Sequence, residues 1–118
     1  MATWGPVVEG SVEPMVFTVY ADGAVVNLDN YGAITPILTD SAGTALAQPG
    51  TAVKVSPQTG SNIGKLTYTP HAQSFTRSSG AIAHLPEKFG IRFSIVDSGL
   101  TPEFFPGGLA DTIPVFPR

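Results

Sequence analysis

The chain is 118 residues long, which fits one domain with one hydrophobic core. Its charged fraction is only 13%, its net charge is -3, and its six Lys and Arg residues are scattered, which excludes the clustered basic surface that binds nucleic acid. The absence of cysteine excludes a disulfide framework, and the absence of any run of about 18 apolar residues excludes a membrane-spanning helix.

Strands are expected throughout, because the 13 Gly and 11 Pro interrupt nearly every stretch long enough for a helix. In chain order, the predicted strands are residues 15–20, 25–28, 33–40, 51–55, 64–69, 88–97 and 109–116, with a shorter candidate at 81–85. Turn residues such as Asp22-Gly23 separate them. About seven short strands divided by turns predict an all-β, antiparallel, immunoglobulin-like sandwich.

Individual residues refine this prediction. The strand at 88–97 alternates, with Phe89, Ile91, Phe93 and Ile95 on one side and Lys88, Gly90, Arg92 and Ser94 on the other. Pro36 indicates an edge or a bulge for the strand at 33–40, because proline donates no ladder hydrogen bond. The polar residues 74–80 favour a loop. We expect residues 1–14 to form an extended N-terminal arm and residues 15–118 to form the sandwich with a proline-rich C-terminal segment.

The order of strands and turns resembles a known family. The motifs that carry the resemblance are Tyr20-Ala21-Asp22-Gly23, Val25-Val26-Asn27-Leu28, Thr39-Asp40-Ser41-Ala42-Gly43-Thr44, Pro57-Gln58-Thr59-Gly60, Gly64-Lys65-Leu66-Thr67-Tyr68-Thr69-Pro70, the segment Phe89 to Gly99, and Phe104-Phe105-Pro106. Together they are similar to the immunoglobulin-like domain of tailed-bacteriophage virion proteins, such as the N-terminal domain of baseplate upper proteins.

The resemblance, which spans residues 15–116, implies a module for virion assembly. We therefore expect a phage structural protein, either a capsid decoration or head protein or a tail or baseplate component. It would be made in the bacterial host cytoplasm and located in the virion. Its partners would be capsid or tail subunits and further copies of itself, with no nucleic acid and no membrane. We expect no receptor-binding or fibre domain after Arg118, which disfavours the baseplate role and leaves a head-surface or tail-component role open.

Titratable residues form no catalytic or metal-binding pattern. His71 and His84 each lack a second His or an acid at metal-ligand spacing. Most Asp residues fall in predicted turns, where the carboxylate bonds the local backbone. The family likewise has no catalytic residues to transfer. We expect no catalytic residue, no metal and no cofactor, and we expect that the protein is not an enzyme.

Large apolar residues near both termini are the candidate interface. They are Trp4, Val7, Val8, Phe104, Phe105, Leu109, Val115 and Phe116. Two interpretations stay open: these residues pack on the domain's own core, or they dock on a neighbouring subunit. Proline-stiffened segments suit docking because they lose less conformational entropy on binding.

An alternative function is a carbohydrate- or host-receptor-binding sandwich. Such sites place aromatic side chains beside polar groups. The candidate aromatics are Trp4, Tyr20, Tyr31 and Tyr68, although their positions in predicted strands also suit a core role.

Overall fold

The computed structural model describes residues 6–21, 23–78, 81, 84–97, 102–105 and 111–118, and these contain ten strands and two 3₁₀ helices. The strands are β1 Val7–Val8, β2 Met15–Thr18, β3 Tyr20–Ala21, β4 Ala24–Val25, β5 Ile34–Thr39, β6 Thr51–Lys54, β7 Lys65–Thr69, β8 Glu87–Val96, β9 Pro102–Phe105 and β10 Asp111–Phe116. The 3₁₀ helices are Leu28–Asn30 and Gly60–Asn62. No helix in these ranges is long and apolar enough to cross a membrane.

Two sheets pack against each other, which confirms the predicted all-β sandwich. In the five-stranded sheet, β5 flanks one side of β8, while β10 and β9 flank successive halves of its other side. The three-stranded sheet has the order β2-β7-β6, and β3 pairs with β4. The orders β2-β7-β6 and β5-β8-β10 correspond to strands B-E-D and C-F-G of an immunoglobulin sandwich. The ladders are antiparallel except that β1 is parallel to β10.

Aromatic side chains from both sheets meet in the core. Phe17 of β2 contacts Phe93 of β8 edge to face, with ring centroids 5.2 Å apart. Tyr68 of β7 lies between Phe93 and Phe75, at 6.1 and 6.4 Å. The predicted alternation of β8 is confirmed, because Phe89, Ile91, Phe93 and Ile95 are all buried. Edge-to-face pairs of this kind add stability beyond the area that they bury.

In the segment after Pro70, the described residues 74–78 form a loop as predicted, but two of them are buried. Ser74 and Phe75 are fully buried, although residues 74–80 were expected to form a polar loop. The Ser74 hydroxyl donates to the Gln48 carbonyl at 2.6 Å and accepts from the His71 amide at 2.8 Å. These bonds satisfy a buried polar group and hold the Phe75 ring in the core. Of the strand predicted at 81–85, the described residues 81, 84 and 85 are not in a strand, and 82–83 lie outside the described residues.

Other boundaries shift modestly. Of residues 25–28, predicted as one strand, Val25 ends β4, residues 26–27 lie in neither element, and Leu28 begins the first 3₁₀ helix. The Asn27 side chain caps that helix by accepting from the Asp29 amide. β9 was not predicted, because Pro102 and Glu103 interrupt the alternation of apolar and polar residues that indicates a strand. The strand predicted from 109 is described from Asp111 onward. The edge position expected from Pro36 is confirmed, since β5 ends the sheet order.

Within the expected N-terminal arm, Val7–Val8 forms β1. The Glu9 amide extends this pairing by donating to the Phe116 carbonyl at 2.8 Å.

Two buried polar side chains tie the loops to the sandwich. The Gln58 side chain, only 2% exposed, accepts hydrogen bonds from the amides of Leu28 and Gly64, both at 3.0 Å. Its amide group donates to the carbonyls of Val55, Asn62 and Lys65. One side chain thus joins three chain segments that lie between the strands, and all of its own polar atoms find the hydrogen-bond partners that a buried polar group needs.

Glu87 is the second of these buried side chains. Its carboxylate, at the start of β8, accepts from the Ser41 amide and hydroxyl and from the Ser78 amide, at 2.7–3.1 Å. Burial raises the pKa of this carboxyl, but the hydrogen bonds from the two serines outweigh burial and hold the pKa below its ordinary value.

Candidate interaction surface

The outer face of the five-stranded sheet is the candidate site. We define it by the strand residues that alternate with the buried ones: Thr35, Ile37, Thr39, Lys88, Gly90, Arg92, Ser94, Val96, Pro102, Phe104, Thr112, Pro114 and Phe116. Val8, the register partner of Phe116, extends it. Lys88 and Arg92 are the charged members, and none of these residues is acidic. This face is therefore positive although the chain's net charge is -3.

Arg92 and Phe104 form a cation–π pair on this face. The guanidinium carbon of Arg92 lies 5.1 Å from the centroid of the Phe104 ring. Arg92 occupies the position on β8 where the ladder to β10 has ended and the ladder to β9 begins. Such a pair at an exposed site contributes about 0.5–1 kcal/mol. The Phe104 ring of this pair is 43% exposed.

A second apolar area lies at the other end of the same face. Val8 and Phe116 are directly paired between β1 and β10 and are 50% and 38% exposed. Phe104 is the register partner of Ser94 on β8. Phe116 lies two residues beyond Pro114, the register partner of Lys88, and so is near the opposite end of β8. At about 3.3 Å per residue, roughly 25 Å separates the two areas. They are therefore two contact points joined by a basic stretch, and not one patch.

The predicted interface residues divide into core and surface. Val8, Phe104 and Phe116 are exposed on the outer face. Phe105 and Val115 are buried, so the docking interpretation is wrong for these two in the folded chain. Adjacent strand residues point to opposite sides, which sends one member of each pair inward. Val7 is half-buried against the core. Trp4 and Leu109 lie outside the described residues.

Aromatics proposed for a glycan platform do not converge in the described structure. Tyr68 is fully buried, its hydroxyl donates to the Pro49 carbonyl at 2.6 Å, and burial raises its pKa to about 12. Tyr31 packs edge to face on Phe105, and burial together with the nearby Glu103 raises its pKa. Tyr20 is 58% exposed on β3. The fourth candidate, Trp4, is not described.

Among the described residues, no three His, Asp or Glu side chains are grouped as a metal site would require. The His71 ring nitrogen Nδ1 accepts from the Gln73 amide, which gives this histidine a local structural role. An open cavity of about 690 Å³ lies beside the N-terminal segment, lined by residues 6–11, 13–15 and Arg118. Its walls mix prolines and valines with two glutamates, and no set of converging polar groups marks a reaction centre.

Comparison of the chain with protein-family models, with curated proteins and with solved structures finds no match.

Proposed function

We propose that this protein is a structural component of a bacteriophage particle that binds neighbouring subunits through the outer face of its five-stranded sheet. The observation that carries the proposal is the Arg92–Phe104 pair, an exposed aromatic ring in contact with a cation on a sheet face without acidic side chains. Aromatic and Arg side chains are enriched where protein interfaces gain most of their binding energy.

Electrostatics favour an acidic partner surface. Lys88 is exposed, and no acidic side chain belongs to the face, so a partner that presents carboxylates and apolar groups matches it in charge. The immunoglobulin-like strand order agrees with the family resemblance of the sequence. The low charged fraction, 13%, suits a subunit that is packed among others better than one that is solvated on all sides. Nothing in the arrangement of the described aromatics favours glycan binding.

The first test asks whether the chain is present in particles. Particles of the phage that carries this gene are purified by density gradient and analysed by mass spectrometry, and immunolabelling assigns the chain to head or tail. We expect a fixed copy number per particle. Absence from washed particles would overturn the proposal.

A second experiment tests the face. Lys88→Glu reverses an exposed charge on it, and Lys65→Glu makes the same change on β7 of the other sheet, where the lysine side chain has no ion pair with any described residue. In particles assembled with each variant, we expect the first change to lower the number of bound copies at physiological salt and the second to leave it unchanged. Equal incorporation of both would refute the assignment to this face.

A further inference from the structure

The free edge of β2 is a second surface, on the opposite sheet. β2 pairs with β7, and no other strand of the described structure adjoins it. The stretch Met15–Tyr20 runs through β2 and Val19 to the first residue of β3, and its six residues include no charge, proline or glycine. We call its open side the β2 edge. Natural edge strands usually carry Lys, Pro or a bulge that prevents pairing with another chain. Here those protections are missing.

Backbone geometry shows which groups face outward. The Val19 amide donates to the Gly64 carbonyl, and the Val19 carbonyl accepts from Val26, so the polar groups of Val19 point toward β7 and β4. In an antiparallel ladder, successive residues direct these groups to opposite sides. The N–H and C=O groups of Val16, Thr18 and Tyr20 therefore point away from the sheet, along the open edge.

The other sheet edges differ from this one. The far side of β5 is met by Ala45 through a bridge to Thr39, and the Leu46 amide donates to the Leu38 carbonyl. β6 ends at Lys54, whose ammonium group pairs with Asp29 at 2.6 Å. The β2 edge, in contrast to these two, combines strong strand propensity with no charge.

We propose that the β2 edge pairs with the β2 edge of a second copy of this chain, antiparallel about a two-fold axis. A two-fold axis places identical residues opposite each other, so a charged edge would repel itself, whereas this edge is neutral. The proposed partner is therefore the same uncharged strand, rich in β-branched residues, in a second copy of the chain. The inference rests on the strand edge alone and stands independently of the virion role.

One strand register pairs all the outward N–H and C=O groups of the edge. With the axis at Thr18, the outward groups of Val16, Thr18 and Tyr20 oppose those of Tyr20, Thr18 and Val16 of the partner subunit, giving about six main-chain hydrogen bonds. Phe17 then lies opposite a buried valine, so the inward and outward sides of both strands agree. Pro14, which has no N–H, falls outside the paired stretch.

The side chains support the same register. Val16 and Tyr20 are 50% and 58% exposed, and the pairing brings each one against the other on the outer surface. A β-branched residue opposite an aromatic residue is a favourable cross-strand pair. The contact is smaller than a standard interface, so we expect dimers at high micromolar concentration and above, and a gain in affinity wherever copies are held close together.

A charge-swap experiment tests the inference by sedimentation velocity over a concentration series. Thr18→Glu places two glutamates at directly opposed positions, with Cα atoms about 5.5 Å apart across the axis, and the repulsion of their carboxylates should weaken dimerisation about tenfold. Mixing Thr18→Glu with Thr18→Lys should restore it. The matched control is Thr67→Glu, which makes the same change on the same side of the sheet but on central strand β7.

A cross-linking measurement covers the case of a weak dimer. The chain has no cysteine. Thr18→Cys should form a disulfide-linked dimer under mild oxidation, because directly opposed residues of this kind have Cα atoms within disulfide range. Thr67→Cys should not. A wild-type chain that is monomeric at about 1 mM without selective Thr18→Cys cross-linking, or a dimer that Thr18→Glu leaves intact, would overturn the inference.

Discussion

Replacing Gln58 is the most informative single change in the fold. Its side chain makes five hydrogen bonds, all to backbone groups, at 2.7–3.1 Å. Gln58→Leu keeps the approximate volume and removes all five. The amides of Leu28 and Gly64 then lose their acceptor in a buried site, and each unsatisfied buried amide costs about 1–3 kcal/mol.

We therefore expect Gln58→Leu to lower the free energy of unfolding by about 3–5 kcal/mol, a drop in Tm of roughly 12–20 °C for a domain of this size. Urea and thermal unfolding followed by circular dichroism measure it. Gln73→Leu, on an exposed turn, is the control and should change stability by less than about 0.5 kcal/mol. A loss below about 1 kcal/mol for Gln58→Leu would show that the loops do not depend on this side chain.

Gln58→Glu sharpens the test by adding a pH dependence. The ionised carboxylate would still accept from the two amides, but its second oxygen would face three carbonyls. Its folded pKa should therefore rise above the unfolded value near 4.3. A raised folded pKa means that stability is fully present below the unfolded pKa and is lost as pH rises through the folded pKa. The variant should approach wild-type stability at pH 4 and be much weaker at pH 7, whereas a pH-independent loss would contradict this account.

Two further predictions concern the loops. Glu87→Gln should lower the free energy of unfolding by about 1.5–3 kcal/mol at pH 7, since hydrogen bonds to a charged acceptor are lost. Because the pKa of Glu87 is lowered in the folded state, this contribution is present above about pH 4.5 and disappears as pH falls through the folded pKa. The unfolding curves of the variant and the wild type should therefore converge in acid. Gly50→Ala should lower the free energy of unfolding by about 2–4 kcal/mol in urea titrations, because φ is +92° and the added methyl group meets the Thr69 carbonyl. Gly43→Ala is the control: φ is +84° but the space around the residue is open, so the loss should be only about 1 kcal/mol.

The strands with clean alternation were predictable from the sequence, and the buried loop residues were not. β8 shows four large apolar residues at every second position, a signal that local sequence carries by itself. Phe75 lies among Ser, Thr and Gln, and its burial depends on the hydroxyl of Ser74 reaching a carbonyl 26 residues earlier in the chain. No local pattern encodes a contact over that separation.

The candidate site was predictable in part for a similar reason. Apolar residues near the C-terminal end indicated an interface, but Phe104-Phe105 and Val115-Phe116 are consecutive pairs within strands. Strand geometry alone requires one member of each pair to face inward. The sequence does not say which member, because that choice depends on the register with β8. Arg92 was visible as an outward residue of β8, but its position over the Phe104 ring depends on β9, which was not predicted.

The parallel pairing of β1 with β10 has a mechanical consequence. A pull on the chain before Val7 and after Phe116 draws the two strands along their axes in opposite directions. Their hydrogen bonds, together with the one from Glu9 to Phe116, then bear load simultaneously in shear and do not open one at a time as in a peeled hairpin. Tension applied to the chain on both sides of the domain would therefore have to break this short β1–β10 ladder before the remaining strands carry any load.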